Sequence, residues 1–270
     1  MMESKKVLFV SQEITPYLPE TELSQIGRTL PQAIQETGKE IRTFMPKYGN
    51  INERRNQLHE VIRLSGMNLI IDDTDHPLII KVASIQAARM QVYFIDNEEY
   101  FHRKQTVVDS NGKFFEDNDE RMVFFARGVL ETVRKLRWSP DLVHCHGWFT
   151  SLVPLYIKKA YREDPLFADS KVIFSMYDNG FDTPLNKSFS EKVLIDGVTA
   201  DHVSMVKNPS YDNLVNLAAT YSDGLIQGSE DLPGPVQEAM KASGKPILDS
   251  VDPEQYVDQF SVFYDSIIND

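Results

Sequence analysis

Residues 141–152 read Asp-Leu-Val-His-Cys-His-Gly-Trp-Phe-Thr-Ser-Leu, an apolar run followed by a glycine and a second apolar run. This stretch predicts a short buried strand at Leu142-Val143, a tight exit at Gly147 and an apolar helix directly afterwards. A strand that stops abruptly before a helix is typical of an open α/β sheet, in which ligands bind at the carboxyl ends of strands. Because side chains alternate along a strand, His144 and His146 should point to the same side.

Short apolar runs before and after this stretch alternate with segments of helical periodicity. The runs that predict the main strands are Val7–Val10, Ile41–Met45, Leu142–Val143, Val172–Phe174 and Leu225–Ile226. Further strands are expected at residues 61–62, 69–71, 78–80 and 92–95, with turns at residues 72–77. This alternation predicts an α/β, Rossmann-like, mostly parallel sheet with helices on both faces.

The helical segments carry their own boundary signals. Asp117 or Asn118 can cap a helix whose apolar residues recur at helical spacing from Met122 onward. A last helix at about residues 252–269 opens with a capping signature, and its apolar stripe should dock it onto the sheet. We expect the whole chain, residues 1–270, to form a single domain.

Composition narrows the range of partners. The 270 residues carry a formal net charge of −12, which argues against nucleic acid or an anionic membrane surface as a partner. There is no apolar window of about 20 residues and no apolar signal segment, so a cytoplasmic protein is expected. The single cysteine, Cys145, excludes an internal disulfide framework. It reads as a small buried hydrophobe, and a nucleophilic role would need His144 or His146 as its base.

Several segments resemble one family in matched order. Residues 141–152 are similar to the D-V-V-H-x-H-[DG]-W-H-[TA]-x-L segment of bacterial glycogen synthases and plant starch synthases. These family-5 glycosyltransferases extend α-1,4-glucan from a nucleotide sugar. Residues 45–49 match the family's Met-Pro-Lys-Tyr-Gly in full, and residues 117–131 match D-N-x-E-R-x-x-F-F-x-R-x-x-L-E. The resemblance covers most of residues 5–230 and implies the N-terminal half of a GT-B glycosyltransferase.

The chain departs from the family pattern where the nucleotide sugar would bind. Pro19 stands where the family has a substrate-binding lysine, Thr21-Glu22 replaces a Gly-Gly pair, and Phe149 replaces a histidine. A lysine and glycines let a loop approach a diphosphate through a point charge and backbone N–H groups. Proline has neither, and the Glu22 carboxylate would repel the phosphates. The family's second domain, which holds most of the nucleotide sugar, is expected to be missing.

The resemblance also implies a set of cleft residues suited to sugar hydroxyls and ring faces. The candidate substrate-binding residues are Glu13, Tyr17, Asp117, Asn118, Arg121, His146, Trp148, Tyr177 and Asn179. Trp148 could instead be a core residue. We predict no catalytic residue, no cofactor and no metal, since no third ligand is spaced to complete a zinc site with His144 and His146.

Two functional hypotheses remain open. In the first, the chain is a degenerate relative of glycogen and starch synthases that binds α-glucan or an oligosaccharide, or regulates a true synthase. In the second, it is half of a functional glucosyltransferase, completed by a separate sugar-nucleotide-binding subunit. The loop from Pro19 to Glu22 favours the first and makes nucleotide-sugar binding doubtful. A homo-oligomer or a partner synthase subunit is compatible with both.

Overall fold

The computed structural model describes residues 4–251 and 256–269, and ten strands within them form one sheet. The strands are β1 (Lys6–Ser11), β2 (Glu40–Pro46), β3 (His59–Glu60), β4 (Met67–Ile71), β5 (Thr74–Ile85), β6 (Met90–Asp96), β7 (Leu142–His146), β8 (Lys171–Met176), β9 (Gly224–Gln227) and β10 (Ile247–Leu248). Their order is β10-β9-β8-β7-β1-β2-β6-β5-β3, and β4 pairs with β5 outside this path. The strands from β10 to β6 run parallel, whereas β5 is antiparallel to β6, β3 and β4. The predicted mostly parallel sheet is confirmed.

Helices cover both faces of this sheet, as predicted. They are α1 (Glu22–Glu36), α2 (Glu98–Phe101), α3 (Asn118–Leu136), α4 (Leu152–Lys159), α5 (Phe189–Lys192), α6 (Tyr211–Thr220), α7 (Gly234–Ala242) and α8 (Tyr256–Asn269). Alternate residues of β1 point to opposite faces. Val7 and Phe9 therefore pack with α1 and α8, whereas Leu8 and Val10 join the larger cluster with α3, α4, α6 and α7. No helix in residues 4–251 or 256–269 combines the length and apolar composition that a membrane span needs.

Two details of the β3–β5 region differ from the sequence expectations. The strand predicted at residues 61–62 is wrong, because β3 ends at Glu60 and Ile62 is 82% exposed. The chain turns there, and the Ser65 side chain accepts a hydrogen bond from the Ile80 backbone N–H at 3.0 Å. The predicted turn at residues 72–77 is shorter than expected. Asp72 and Asp73 make it with positive φ angles, and residues 74–77 already pair with β4.

Helix α8 packs on the sheet, as its apolar stripe predicts. Phe260, Phe263, Tyr264 and Ile267 are buried in the same cluster as Val7 and Phe9 of β1. The capping signature at residues 252–255 lies outside the described residues. Lys39, which precedes β2, adds an ion pair to Asp265 at 3.2 Å. The end of the chain is thus fixed by an apolar stripe with polar contacts at its margin.

A buried polar contact ties α8 to the central strands. The Tyr264 hydroxyl is hydrogen-bonded with Nδ1 of His144 on β7 at 2.5 Å, and Nε2 of His144 pairs with the Ser175 hydroxyl on β8 at 2.6 Å. All of these side chains are fully buried. A buried polar atom that loses its partner costs about 1–3 kcal/mol, so this chain of contacts fixes the position of α8 on the sheet.

We expect Tyr264→Phe to lower the free energy of unfolding by about 1–3 kcal/mol, because it leaves a nitrogen of His144 buried without a partner. Tyr256→Phe makes the same chemical change on the same helix, where the side chain is only partly buried, and should shift stability by less than about 0.5 kcal/mol. Urea unfolding of both variants measures the difference. Equal losses would show that the Tyr264 contact does not hold the helix.

Candidate functional site

A cleft of about 740 Å³ opens at the carboxyl ends of β1, β7 and β8. Gln12 and Glu13 follow β1 and form one side of it. The segment before α3 contributes residues 107–108 and 112–116, and the loop after β8 contributes residues 179–186. Trp148, in a 3-10 turn after β7, completes the lining. The cleft therefore lies where ligands bind in open α/β sheets.

Three aromatic rings form the apolar part of this cleft. The ring of Trp148 lies 5.8 Å from Phe114 and 4.8 Å from Phe181, and Phe114 and Phe181 are 4.9 Å apart between centroids. Trp148 is only 2% exposed, whereas both phenylalanines are half-buried. Trp148 is thus both a core residue and a cleft residue. Phe114 and Phe181 offer apolar surface on which the face of a sugar ring can pack, and the buried Trp148 ring packs against both of them.

Polar groups flank the aromatic rings. Both the oxygen and the nitrogen of the Asn179 amide are buried without a hydrogen-bond partner among the described residues. The Glu13 carboxylate accepts a hydrogen bond from the Thr21 hydroxyl at 2.8 Å. Burial raises the pKa of Glu13, and the Thr21 hydrogen bond opposes that rise. Since buried polar atoms normally have partners, Asn179 is a ready donor and acceptor for hydroxyl groups.

Gly147 is required at the bend between β7 and the Trp148 turn. Its φ of +83° is unfavourable for other residues, and a Cβ there would lie 2.8 Å from Oε1 of Gln12. The same oxygen accepts a hydrogen bond from the backbone N–H of Phe149 at 3.2 Å. Gln12 therefore joins the loop after β1 to the loop after β7, although nothing in the sequence singled it out.

Asn118 and Arg121 are placed behind the cleft and not in its lining. Arg121 is fully buried and donates from Nε to the Tyr100 carbonyl at 2.7 Å and from Nη1 to the Asn118 side-chain oxygen at 2.6 Å. The Asn118 amide nitrogen in turn donates to the Val107 carbonyl at 2.8 Å. Burial lowers the pKa of Arg121 to about 10, so the guanidinium remains charged near neutral pH. These two residues hold the segment from which the cleft wall is built.

Asp117, like Asn118 and Arg121, makes its side-chain contacts inside the protein and does not line the cleft. It occupies the N-cap position of α3, but its side chain makes no capping hydrogen bond to the described residues of that helix. Its carboxylate instead accepts from Nη1 of Arg103 at 2.7 Å, and Asn118 is engaged with Val107 and Arg121. The prediction that Asp117 or Asn118 caps α3 is therefore wrong. The strong pairing with a guanidinium takes precedence over the weaker backbone contact.

Tyr17, His146 and Tyr177 lie beneath the cleft. Nδ1 of His146 is hydrogen-bonded with the Tyr177 hydroxyl at 2.9 Å, and Nε2 of His146 is buried without a hydrogen-bond partner in the described part of the chain. The rings of His144 and His146 are 3.7 Å apart, which confirms that both point to the same side. Burial lowers the pKa of His146 to about 3, so the imidazole is neutral. Burial raises the pKa of Tyr17 to about 12, and its ring packs edge-on against Phe94.

The structure thus brings only part of the predicted set into the cleft lining. Glu13, Trp148 and Asn179 line it, while the other six candidates support it from behind. Sequence reasoning missed Gln12, Phe114 and Phe181. The two phenylalanines lie in irregular segments without periodicity, and only their spacing from Asp117 and Asn179 could have drawn attention to them.

The loop from Pro19 to Glu22 is engaged with its own chain. The Thr21 hydroxyl accepts from the Ser24 backbone N–H at 3.0 Å, and the Ser24 hydroxyl accepts from the Thr21 N–H at 2.8 Å, which makes a capping box. The Glu22 carboxylate accepts from the Ser229 hydroxyl at 2.5 Å, after β9. The start of α1, where an anion would ordinarily bind, is therefore occupied by a threonine and bordered by a carboxylate.

Phe149 turns away from the cleft. Its side chain is fully buried, with ring centroids 6.2 Å from Tyr48 and 5.8 Å from Phe125. The Arg121 guanidinium lies 5.8 Å from the same ring. Phe149 consequently packs against the buried arginine and presents no polar atom to a ligand.

The sheet order and the cleft at the carboxyl ends of its strands define a Rossmann-like α/β fold of the GT-B type. The family model described as "Starch synthase catalytic domain" matches residues 6–244, and the chain belongs to this family. The catalytic domain of starch synthase IV from Arabidopsis thaliana, solved with ADP and acarbose, has the same fold. The TM-score is 0.74 at 17% identity, over 93% of this chain and 52% of that one.

Curated relatives agree with this assignment. A glycogen synthase of Chlorobium limicola is 34% identical over 262 residues, which are 93% of this chain and 54% of that protein. A glycogen synthase of Chlorobaculum tepidum is 40% identical over 174 residues, 64% of this chain and 36% of that protein. The chain spans about half the length of the curated relatives it matches.

The buried neutral His146 should make the fold sensitive to acid. Its pKa is about 3 in the folded protein, against about 6.5 in an unfolded chain, so the unfolded state takes up the proton first as pH falls. The stabilisation is complete above about pH 6.5 and is lost toward about pH 3, and this histidine alone accounts for about 2 kcal/mol at pH 5.

We expect His146→Asn to flatten the dependence of unfolding free energy on pH between about pH 7.5 and 5 by this amount. The matched control is His59→Asn, at an exposed position on the edge strand β3. Urea unfolding at a series of pH values measures both slopes. An unchanged slope in His146→Asn would contradict the assignment.

Proposed function

We propose that this chain binds α-1,4-glucan in the cleft and does not itself transfer glucose from a nucleotide sugar. The observation that carries the proposal is the Pro19–Glu22 loop, where a capping threonine and a carboxylate stand at the start of α1. A diphosphate needs free N–H groups and positive charge, and this loop offers a threonine cap and a negative charge.

The glucan half of the proposal is supported by the chemistry of the cleft. A neutral polysaccharide needs ring faces for stacking and fixed polar groups for its hydroxyls, and charge attraction is not required. Phe114 and Phe181 supply the ring faces, with Trp148 packed against them, while Asn179 and Glu13 supply polar atoms. The relatives are glycogen synthases, which agrees with a glucan ligand. Because the cleft is open to solvent, we expect a dissociation constant on the order of millimolar.

We expect Asn179→Ala to weaken maltoheptaose binding about fivefold to tenfold, because it removes one or two hydrogen bonds. The Asn179 amide makes no hydrogen bond to any other described residue, so the substitution removes no hydrogen bond from the free protein and should leave the fold intact. Asn68→Ala, at an exposed position on β4, is the matched control. Amide chemical shifts recorded during a maltoheptaose titration give both the affinity and the site.

Shifts clustered around residues 107–116 and 179–186 are the expected result. A titration that shifts no cleft residue at high concentration would remove the glucan proposal and favour a scaffold role beside a true synthase.

Restoring the family residues should restore anion binding. We expect the triple variant Pro19→Lys, Thr21→Gly, Glu22→Gly to bind ADP at least about tenfold more tightly than the unaltered protein, since it adds a cation and frees N–H groups. Glu20→Gln is the control, because it removes a negative charge from the same loop without opening the helix start. Isothermal titration with ADP is the measurement.

The alternative, half of a functional glucosyltransferase, predicts a different outcome. In that case the unaltered chain would bind ADP-glucose, or would elongate glycogen above background when a sugar-nucleotide-binding subunit is added. Incorporation of labelled glucose from ADP-glucose or UDP-glucose into glycogen tests this directly. We expect none with the isolated chain.

A further inference from the structure

A second cleft, of about 470 Å³, lies at the opposite end of the sheet from the glucan cleft. It is formed by the start of β2 at Ile41 and Arg42, the start of β6 at Met90 and Gln91, and the chain between β5 and β6. Gln35, in the last turn of α1, closes one side. Its volume is within the range of about 300–1,000 Å³ that is usual for small-molecule sites.

The charge of this second cleft differs from that of the protein as a whole. Arg42 and Arg89 line it, and among the described residues no carboxylate does, although the chain has a net charge of −12. Neither guanidinium forms an ion pair within residues 4–251 and 256–269. The neighbouring acidic groups are engaged elsewhere. Glu40 accepts from the Trp138 indole N–H at 2.6 Å, and Glu36 accepts from Gln32 at 3.1 Å.

The Arg42 side chain is fixed by two aromatic residues. Its guanidinium carbon lies 5.1 Å from the Trp138 ring and 5.9 Å from the Tyr93 ring, and Nη1 donates to the Tyr93 hydroxyl at 2.9 Å. The Nε atom is buried and has no hydrogen-bond partner in the described chain. A planar guanidinium fixed by aromatic rings can offer two parallel N–H groups without losing further freedom.

The second arginine of the cleft, Arg89, lies in the connection between β5 and β6. It follows the 3-10 turn Gln86–Ala88 with a φ of 49°, and its backbone N–H donates to the Gln86 carbonyl at 3.1 Å. Its own carbonyl accepts from the Gln35 side chain at 3.4 Å, which links the turn to α1. Ser84 and the amides of Gln35, Gln86 and Gln91 add neutral polar groups around the two cations.

We propose that this second cleft binds a small phosphate-bearing anion, either free phosphate or the phosphate group of a sugar phosphate. Arg42 and Arg89 have no carboxylate partner among the described residues and supply the charge, and the Arg42 guanidinium is held against the Tyr93 and Trp138 rings. The serine and glutamine side chains suit the remaining phosphate oxygens or the hydroxyls of an attached sugar. This site is independent of the proposed glucan site, which lies at the other end of the strands.

The test is a titration of the full chain with inorganic phosphate, with glucose 1-phosphate and with glucose, followed by amide chemical shifts. We expect saturable shifts in Gln35 and residues 84–91 with both phosphates and none there with glucose. Arg42→Gln and Arg89→Gln should each weaken phosphate binding about tenfold or more. Arg63→Gln, an exposed arginine outside the cleft, should bind as the unaltered protein does.

Because the Arg89 side chain is exposed, Arg89→Gln should not disturb folding. Weaker phosphate binding by this variant would therefore report the loss of the guanidinium itself. Tighter binding of glucose 1-phosphate than of phosphate would identify a phosphate ester as the ligand, and equal affinity would identify free phosphate. Unchanged affinity in Arg89→Gln would overturn the proposal. So would shifts scattered over surface cations without saturation.

Discussion

The fully buried guanidinium of Arg121 is the group on which the carboxyl-end loops of the sheet depend. A charge without a carboxylate partner is costly to bury unless fixed dipoles and ring faces replace its water. Here the Tyr100 carbonyl and the Asn118 side-chain oxygen do so, together with four aromatic rings, those of Tyr48, Phe101, Phe115 and Phe149. Tyr48 follows β2, Phe101 ends α2 after β6, Phe149 lies in the 3-10 turn after β7, and Phe115 precedes α3. One cation thereby holds together the surroundings of the cleft.

This arrangement gives a physical meaning to the Asp117–Glu131 pattern. Asn118 and Arg121 occur together because each satisfies the other, and the Asn118 amide also fixes the Val107 carbonyl. The segment they hold carries Phe114 into the cleft beside Trp148 and Phe181. A motif residue can therefore shape a ligand site without lining it. Phe149 belongs to the same support, since an apolar ring at that position completes the surroundings of the guanidinium.

The fold could be predicted from the sequence because the central strands are buried on both faces and read as short apolar runs. The β3–β5 region was harder, since residues 74–77 are mostly polar and pair only along one edge. The candidate site could be predicted only where the family resemblance pointed to a position, as at Glu13, Trp148 and Asn179. Residues 180–186 follow no period, and their place in the cleft results from tertiary packing. The second cleft left no local signal either, because Arg42 and Arg89 are far apart in the chain.

The distribution of charge connects the two ends of the molecule. Carboxylates at Glu13, Glu22, Glu116 and Asp182 stand in or beside the cleft at the carboxyl end, which disfavours a diphosphate there and leaves a neutral sugar unaffected. Arg42 and Arg89, which form no ion pair with another described residue, lie at the amino end. Helix α1 runs between these regions, with its capped start at Thr21 and its last turn at Gln35 against the Arg89 turn. The dipole of a helix favours anions at its N-terminus and repels them at its C-terminus. In α1 the side chains act in the opposite direction, because carboxylates lie near its N-terminus and the two arginines lie near its C-terminus. Side-chain charge therefore decides which class of ligand each cleft of this fold can accept.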